Sequence, residues 1–447
     1  MRFLKDRQPH QEKIGRLSFE ATLRLVQDTI LDPEAMGEER AARNRRTAED
    51  AMAGVPGARS ESVKMVEEFL SERGVEVEGM DLSRAAYEIY RELWGLGPLE
   101  EVYRDPAVNE IQVNALDKIF VLRNLRLEPV EDVRFRDDDH VMSLVTRMVM
   151  HDRGVSLNRS SPTIESMRKD GTRITATCPP VSEYVTLTLR KHIPRAITFD
   201  EMVERGTMDE KGRDLLKLLV RGRANIAVVG GVGSGKTTMV RTLFSETDPR
   251  ARTVVLETDR ELFLSKNYPG HNIVELEEHP EVGRTLKGLF RVVLRFTPTM
   301  IIVGEFRGEG EATEAVRACE RGHDGSITTA HFGSAPEFVS GTARLLVKEG
   351  LNLPREAAEE LVAAAFNVVV KMFGDSTRGV IKLESVTELV PGNPVQYRDL
   401  LRWVPSGDDY LKGDWKLVER PGKRLLSRLF RYGVTGRMVE EVYEKWS

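Results

Sequence analysis

An apolar run, Ile226-Ala227-Val228-Val229, leads straight into Gly230-Gly231-Val232-Gly233-Ser234-Gly235-Lys236-Thr237-Thr238. Glycines at this density let successive backbone N–H groups turn inward around phosphate oxygens. A helix expected from Thr238 to about Glu246 would add its positive end. Gly230 to Thr237 fits the spacing G-x-x-x-x-G-K-[ST], a P-loop. Lys236 is then placed to reach the β- and γ-phosphates and the Thr237 hydroxyl to ligate Mg²⁺. Gly230 through Thr238 thus form a nucleotide-binding stretch whose ligand class is ATP or GTP.

Carboxylates and histidines follow at places where they could act on such a ligand. A buried strand, Thr299 to Val303, delivers Gly304-Glu305-Phe306-Arg307. An acidic residue there can hold Mg²⁺ or orient water, the Walker B role of Glu305. A second strand, Thr253 to Leu256, delivers Glu257 and, one turn on, Glu261; a carboxylate beside a phosphate-bound water is a candidate general base. His323 and His331 stand eight residues apart without cysteine partners, a poor pattern for zinc.

These groups need a scaffold that brings strand ends together. Behind the P-loop, strands alternate with helices expected at Leu215–Val220, Pro280–Phe296 and Glu311–Arg321, which predicts a mostly parallel, doubly wound sheet. Ligands sit at the carboxyl ends of the strands in such a sheet. Upstream the rhythm differs. Residues 62–103 carry helical spacing and stop at Gly95-Leu96-Gly97-Pro98-Leu99; strands at Ile111–Val113 and Ile119–Leu122 and a helix from Asp137 to Arg153 follow. After a turn at Lys169-Asp170-Gly171-Thr172, Ile174, Ala176 and Cys178 alternate with Arg173, Thr175 and Thr177. Val185, Leu187 and Leu189 likewise alternate with Thr186, Thr188 and Arg190. Arg173 and Arg190 therefore project from polar strand faces, and the pattern alone makes them solvated surface residues.

The division expected is a polar, loosely attached helical segment (1–60), an α+β domain (61–192), a linker (193–200), an ATPase domain (201–400) and a C-terminal extension (401–447). The 66 lysines and arginines are balanced by 71 acids, net −5, which argues against a dedicated nucleic-acid binder. Two cysteines, Cys178 and Cys319, cannot build a disulfide framework. No stretch reaches the roughly 18 apolar residues that span a bilayer, so the expectation is a soluble protein whose membrane contact is indirect.

Four boxes occur in order: Gly230–Thr238, Glu257-Thr258-Asp259-Arg260-Glu261-Leu262, Ile301 to Arg307-Gly308, and Gly322-His323 through His331. They resemble the Walker A, Asp, Walker B and His boxes of the type II/type IV secretion ATPase superfamily. Upstream, Gly95–Glu100, Val108–Asn114, Asp170–Arg173 and Leu187–Lys191 resemble its N-terminal domain, and the likeness runs over about residues 85–400. The nearest branch is the CpaF-like one, motors of tight-adherence pili. The resemblance implies an α/β fold, a RecA-like P-loop NTPase domain preceded by an α+β, PAS-like domain. It implies that Glu261 activates water, Glu305 is the Walker B acid and His331 stands near the γ-phosphate. It further implies that Arg173 and Arg190 reach the phosphates and that Arg307 couples nucleotide state to a subunit contact. One departure is Thr258, where the Asp box usually carries an aspartate.

The function expected is a hexameric, Mg²⁺-dependent ATP hydrolase of the cytoplasm. It would act on the inner face of the membrane through a polytopic platform protein of a pilus or secretion machine. A P-loop hexameric nucleic-acid motor lacks a basic excess or an aromatic-basic run. An ATP-binding scaffold with little turnover is separated from the motor by steady-state phosphate release.

Overall fold

The computed structural model describes residues 14–152, 154–191, 196–305 and 311–445. Two units divide it, Met1–His192 and Ile193–Ser447.

Among the described residues of the first unit, helices follow a short strand at residues 15–17 and pack around a core of their own. Phe19–Thr29, Glu38–Ala53, Ala58–Glu72 and Leu82–Leu93 enclose a core of Val26, Val66, Phe69, Leu70, Ile89 and Tyr90. The helix Glu38–Ala53 is highly charged, yet Ala41, Ala48 and Ala51 on one face are buried. Small side chains let it pack closely with little apolar surface of its own. Within the stretch read as helical from 62 to 103, Gly74 turns the chain at φ 59° into a short strand. That strand, β2 (Val75–Val77), pairs in parallel with β1 (Gly15–Leu17). Next come β3 (Val108–Ala115), β4 (Lys118–Arg123), β5 (Arg126–Val130), β6 (Thr163–Met167), β7 (Arg173–Thr177) and β8 (Thr186–Arg190). They form an antiparallel sheet in the order β5-β4-β3-β8-β7-β6. The helix Asp138–Val149 packs on it through Val141, Leu144, Val145 and Met148.

The second unit is a RecA-like α/β fold. Its strands are β9 (Ile226–Gly230), β10 (Thr253–Glu257), β11 (Ile273–Glu277), β12 (Met300–Val303), β13 (Ile327–Ala330), β14 (Val368–Asp375), β15 (Val380–Val390), β16 (Gln396–Ser406) and β17 (Asp409–Leu417). The sheet order is β11-β10-β12-β13-β9-β14-β15-β16-β17. It is parallel from β11 to β14 and antiparallel beyond. Ile226 and Val228 enter one core and Ala227 and Val229 the other, so both faces of β9 are covered. This two-sided burial explains why it reads as a continuous apolar run.

Three boundaries differ from the sequence reading. Pro280–Phe296 is not one helix: a 3-10 turn, Pro280–Val282, is cut by Gly283 at φ 71°, and the α-helix runs from Leu286 to Val293. Thr285 starts it, its side chain accepting the Gly288 N–H, a polar cap inside a segment whose apolar spacing looked unbroken. The helix after the P-loop runs from Lys236 to Phe244. Position 400 lies inside β16, and the two helices that follow, Lys423–Arg431 and Gly436–Glu444, send Leu425, Leu429 and Val439 into the same core as β9. Among the described residues, no helix is long and apolar enough to cross a membrane.

Candidate functional site

Parallel strands end on one edge of the sheet, and the chemistry-bearing residues stand there. Ala330 of β13 is in register with Val229 of β9, and Val303 of β12 lies between Leu256 of β10 and Thr328 of β13. The residues just past these ends are the P-loop, Glu257 to Glu261, Gly304-Glu305 and His331. The far end of β9 is pinned by Asn225. Its amide accepts the N–H groups of Gly325 and Ser326 and donates to the Ala365 carbonyl.

The loop itself is shaped by glycine. Gly235 has φ 85° at the start of the helix, a conformation that L side chains rarely adopt. A neighbouring strand supports the loop closely. A Cβ on Gly374 of β14 would lie 2.6 Å from the Ser234 Cα and 2.8 Å from the Gly233 carbonyl oxygen. Lys236 donates to the carbonyls of Gly230 (3.1 Å) and Gly231 (2.9 Å) and lies 3.3 Å from Nδ1 of His331. The other ring nitrogen, Nε2, lies 2.6 Å from Oε1 of Glu305. Lys236, His331 and Glu305 thus join three strand ends.

A second set converges on Glu261. The Thr237 hydroxyl donates to Oε2 of Glu261 at 3.1 Å. Oε1 of Glu257 accepts the N–H groups of both Glu261 and Leu262 at 2.9 Å. Glu257 is buried, and burial pushes its carboxyl up to about 7 against the lowering effect of those two N–H groups. Arg241, also buried, donates Nε to the Leu262 carbonyl at 2.9 Å and Nη2 to the Glu261 carbonyl. Burial lowers the affinity of its guanidinium for the proton. Thr258, at the departure from the Asp box, donates to Glu311 at 3.3 Å. Thr237, Glu257, Glu261, Glu305 and Thr329 line a small cleft at this edge.

The remaining sequence candidates lie elsewhere. His323 and His331 are at opposite ends of β13, with His323 on the Pro298 carbonyl at 3.0 Å. Arg173 and Arg190 belong to the first unit and are directly paired across β7 and β8; on its other side Arg190 is in register with Glu110. Arg307 lies outside the described residues. Sequence reasoning missed Arg241 and Gly374. The signal for Arg241 was a cation set among the apolar residues Met239, Val240, Leu243 and Phe244.

Comparison with known proteins matches residues 92–373 to the family described as "Type II/IV secretion system protein". The chain is 29% identical over 308 residues to the type IV secretion system protein VirB11 of Brucella suis, covering 62% of this chain and 83% of that protein. It is 33% identical over 264 residues to PtlH of Bordetella pertussis, covering 52% and 76%. The crystal structure of the Brucella suis VirB11 ATPase in complex with sulphate aligns at 28% identity and a TM-score of 0.35, covering 66% and 93%. The family match takes in more than half of the sequence, so the chain belongs to the type II/IV secretion system protein family, the secretion ATPase superfamily that its four boxes resemble.

Proposed function

We propose that the chain is a motor ATPase that hydrolyses ATP with Mg²⁺ to drive pilus assembly or protein secretion. In this reading it is a CpaF-like hexamer of the cytoplasm, seated on a polytopic inner-membrane platform protein. The observation that carries the catalytic part is the meeting of Lys236, Thr237, Glu261, Glu305 and His331 at one edge of a parallel sheet.

The residues present fit both implied ligands. A glycine-lined loop at a helix N-terminus, too close to β14 for a Cβ at Gly374, suits a polyphosphate. The Thr237 hydroxyl and the Glu305 carboxylate are hard oxygen donors and few in number, as Mg²⁺ prefers when phosphates complete its shell. When bound, Mg²⁺ would neutralise charge on the phosphate oxygens. The loop N–H groups and the Lys236 ammonium hold the phosphates. Glu261 accepts the proton of an attacking water, and His331 holds Glu305 through Nε2. Arg173 and Arg190 bring positive charge from the first unit to the phosphates, with Arg307 relaying the change to a neighbouring subunit.

Steady-state phosphate release tests this reading. Lys236→Ala should abolish turnover, and Glu261→Ala should retain nucleotide binding without turnover. Rates like wild type in both variants overturn it. Native mass spectrometry with a non-hydrolysable ATP analogue should give six copies, and a monomer under all conditions removes the hexamer.

A further inference from the structure

We infer that Glu257 and Arg241 form a buried clamp on the backbone of Glu261 and Leu262, and that Glu257 is a positioning residue, not the proton acceptor. The inference deepens the reading above, since it rests on Glu261 being the group that meets the water. Glu261 follows β10 in a stretch that is neither helix nor strand. Its peptide groups have no ladder to join, and buried N–H and C=O groups must find partners. Both consecutive residues are satisfied from both sides. Glu257 takes the N–H groups of Glu261 and Leu262, and Arg241 gives to the carbonyls of the same two residues. The Arg241 arm is charge-assisted, and such hydrogen bonds are about twice as strong as neutral ones.

The two arms come from the elements that define the site. Glu257 ends β10, and Arg241 sits one turn beyond Thr237 on the helix after the P-loop, on the same helix face. The helix that presents the Thr237 hydroxyl to Glu261 therefore also fixes the backbone that carries Glu261. Glu257 itself is poorly placed to serve as a base. Its Oε1 already accepts two N–H groups, and Gly304 closes over it so tightly that a Cβ there would lie 2.7 Å from the Glu257 Cγ. A general base needs a lone pair facing the water at hydrogen-bond distance.

The test uses the full chain and two readouts. Amide hydrogen exchange on a peptide spanning 258–264 should show Glu257→Ala losing protection at Glu261 and Leu262, with Glu257→Gln retaining it, because the glutamine oxygen accepts the same two N–H groups. In phosphate release, Glu257→Gln should stay within about threefold of the wild-type kcat. Glu257→Ala should lose about 100-fold in kcat at little-changed KM for ATP, the order expected for a 1 Å displacement of a catalytic group. Arg241→Lys, which replaces a fork by a single point donor, should fall between. Full protection in Glu257→Ala overturns the clamp whether or not the protein turns over ATP. A Glu257→Gln variant as inactive as Glu261→Ala, with its amides still protected, makes Glu257 the proton acceptor and overturns the assignment. A wild type that releases no phosphate while Glu257→Ala loses its amide protection leaves the clamp standing and removes the ATPase reading instead.

Discussion

Gly374 lies on β14, remote in sequence from the P-loop, yet one methyl group there should disable the loop. Its Cβ would come 2.6 Å from the Ser234 Cα, 2.8 Å from the Gly233 carbonyl oxygen and 3.1 Å from the Ser234 nitrogen. Carbon atoms rest at about 3.5–4.0 Å, so something must move by roughly 1 Å. All three atoms are backbone, so no side-chain rotation relieves the contact. β14 cannot yield easily, because Met372 is in register with Gly230 on one side and Gly374 with Ile381 on the other. The loop must give way. Overpacking of this kind costs about 1–3 kcal/mol in stability, and a 1 Å displacement at a reacting centre costs about 100-fold in rate. Gly374→Ala should therefore lower kcat/KM for ATP about 100-fold, with a modest fall in Tm. Gly270→Ala, where a Cβ meets nothing within 4 Å, is the control. Wild-type kcat/KM and Tm in Gly374→Ala would refute the argument that β14 is the floor of the phosphate site.

Three further outcomes follow from named contacts. Buried Asp324 accepts from Arg428 at 2.6 Å and from the Tyr432 hydroxyl at 2.7 Å. Arg428→Ala should cost about 3 kcal/mol by leaving that carboxylate without its cation, and limited proteolysis should then release the last two helices early. Glu257 binds its proton more tightly in the fold, with the carboxyl raised from 4.5 to about 7. Stability from this group is full below about 4.5 and is lost as pH rises through about 7, worth about 3 kcal/mol at roughly 1.4 kcal/mol per pH unit. Denaturant midpoints should show wild type losing that amount relative to Glu257→Gln between pH 4 and pH 8, and parallel curves would contradict it. Arg190 has a like charge, Arg173, on one neighbouring strand and an opposite one, Glu110, on the other. These pair effects offset, so Arg190→Gln should change stability by less than about 0.5 kcal/mol while lowering ATP turnover. Unchanged turnover would remove Arg190 from the proposed site.

What could be read from the residues was what local pattern dictates. The P-loop, the apolar runs of β9, β10 and β12 and the acids just past them are short-range signals, because two-sided burial forces continuous Val and Ile and phosphate binding forces clustered glycine. Arg173 and Arg190 were rightly placed on one polar face, since the two-residue period of a strand fixes the side. Illegible features depend on distant partners. Gly374 is an ordinary strand glycine until Ser234 is seen beside it. Arg241 reads as a helix surface cation until Glu261 and Leu262 cover it. The strands after Val380 join the same sheet through antiparallel pairing, which leaves no motif. The break in Pro280–Phe296 was written locally, in Gly283 and Thr285, but apolar spacing at Leu286, Phe290 and Val293 outweighed it.

The contacts of Lys236 bear on how a phosphate would be felt across the sheet. Its ammonium is shared among two loop carbonyls and Nδ1 of His331, and a phosphate oxygen must compete with these acceptors for its protons. Charge-assisted bonds to an anion are stronger than those to a carbonyl or a neutral ring, so the lysine turns toward the phosphate. His331 would then lose the lysine from Nδ1, while its other nitrogen faces Glu305, 2.6 Å away in this structure. The helix that follows β9 and the residues just past β13 and β12 each supply one member of this row, so loss or gain of a phosphate at the loop would be registered at three strand ends. Glu261 has contacts of its own. Its side chain meets Thr237, and its backbone is gripped by Glu257 and Arg241. On the proposed reading, one part of the site would respond to the charge on the nucleotide while the other keeps the carboxylate assigned to the water in place. A motor needs that division, because the group that performs the cut must not drift with the strokes it triggers.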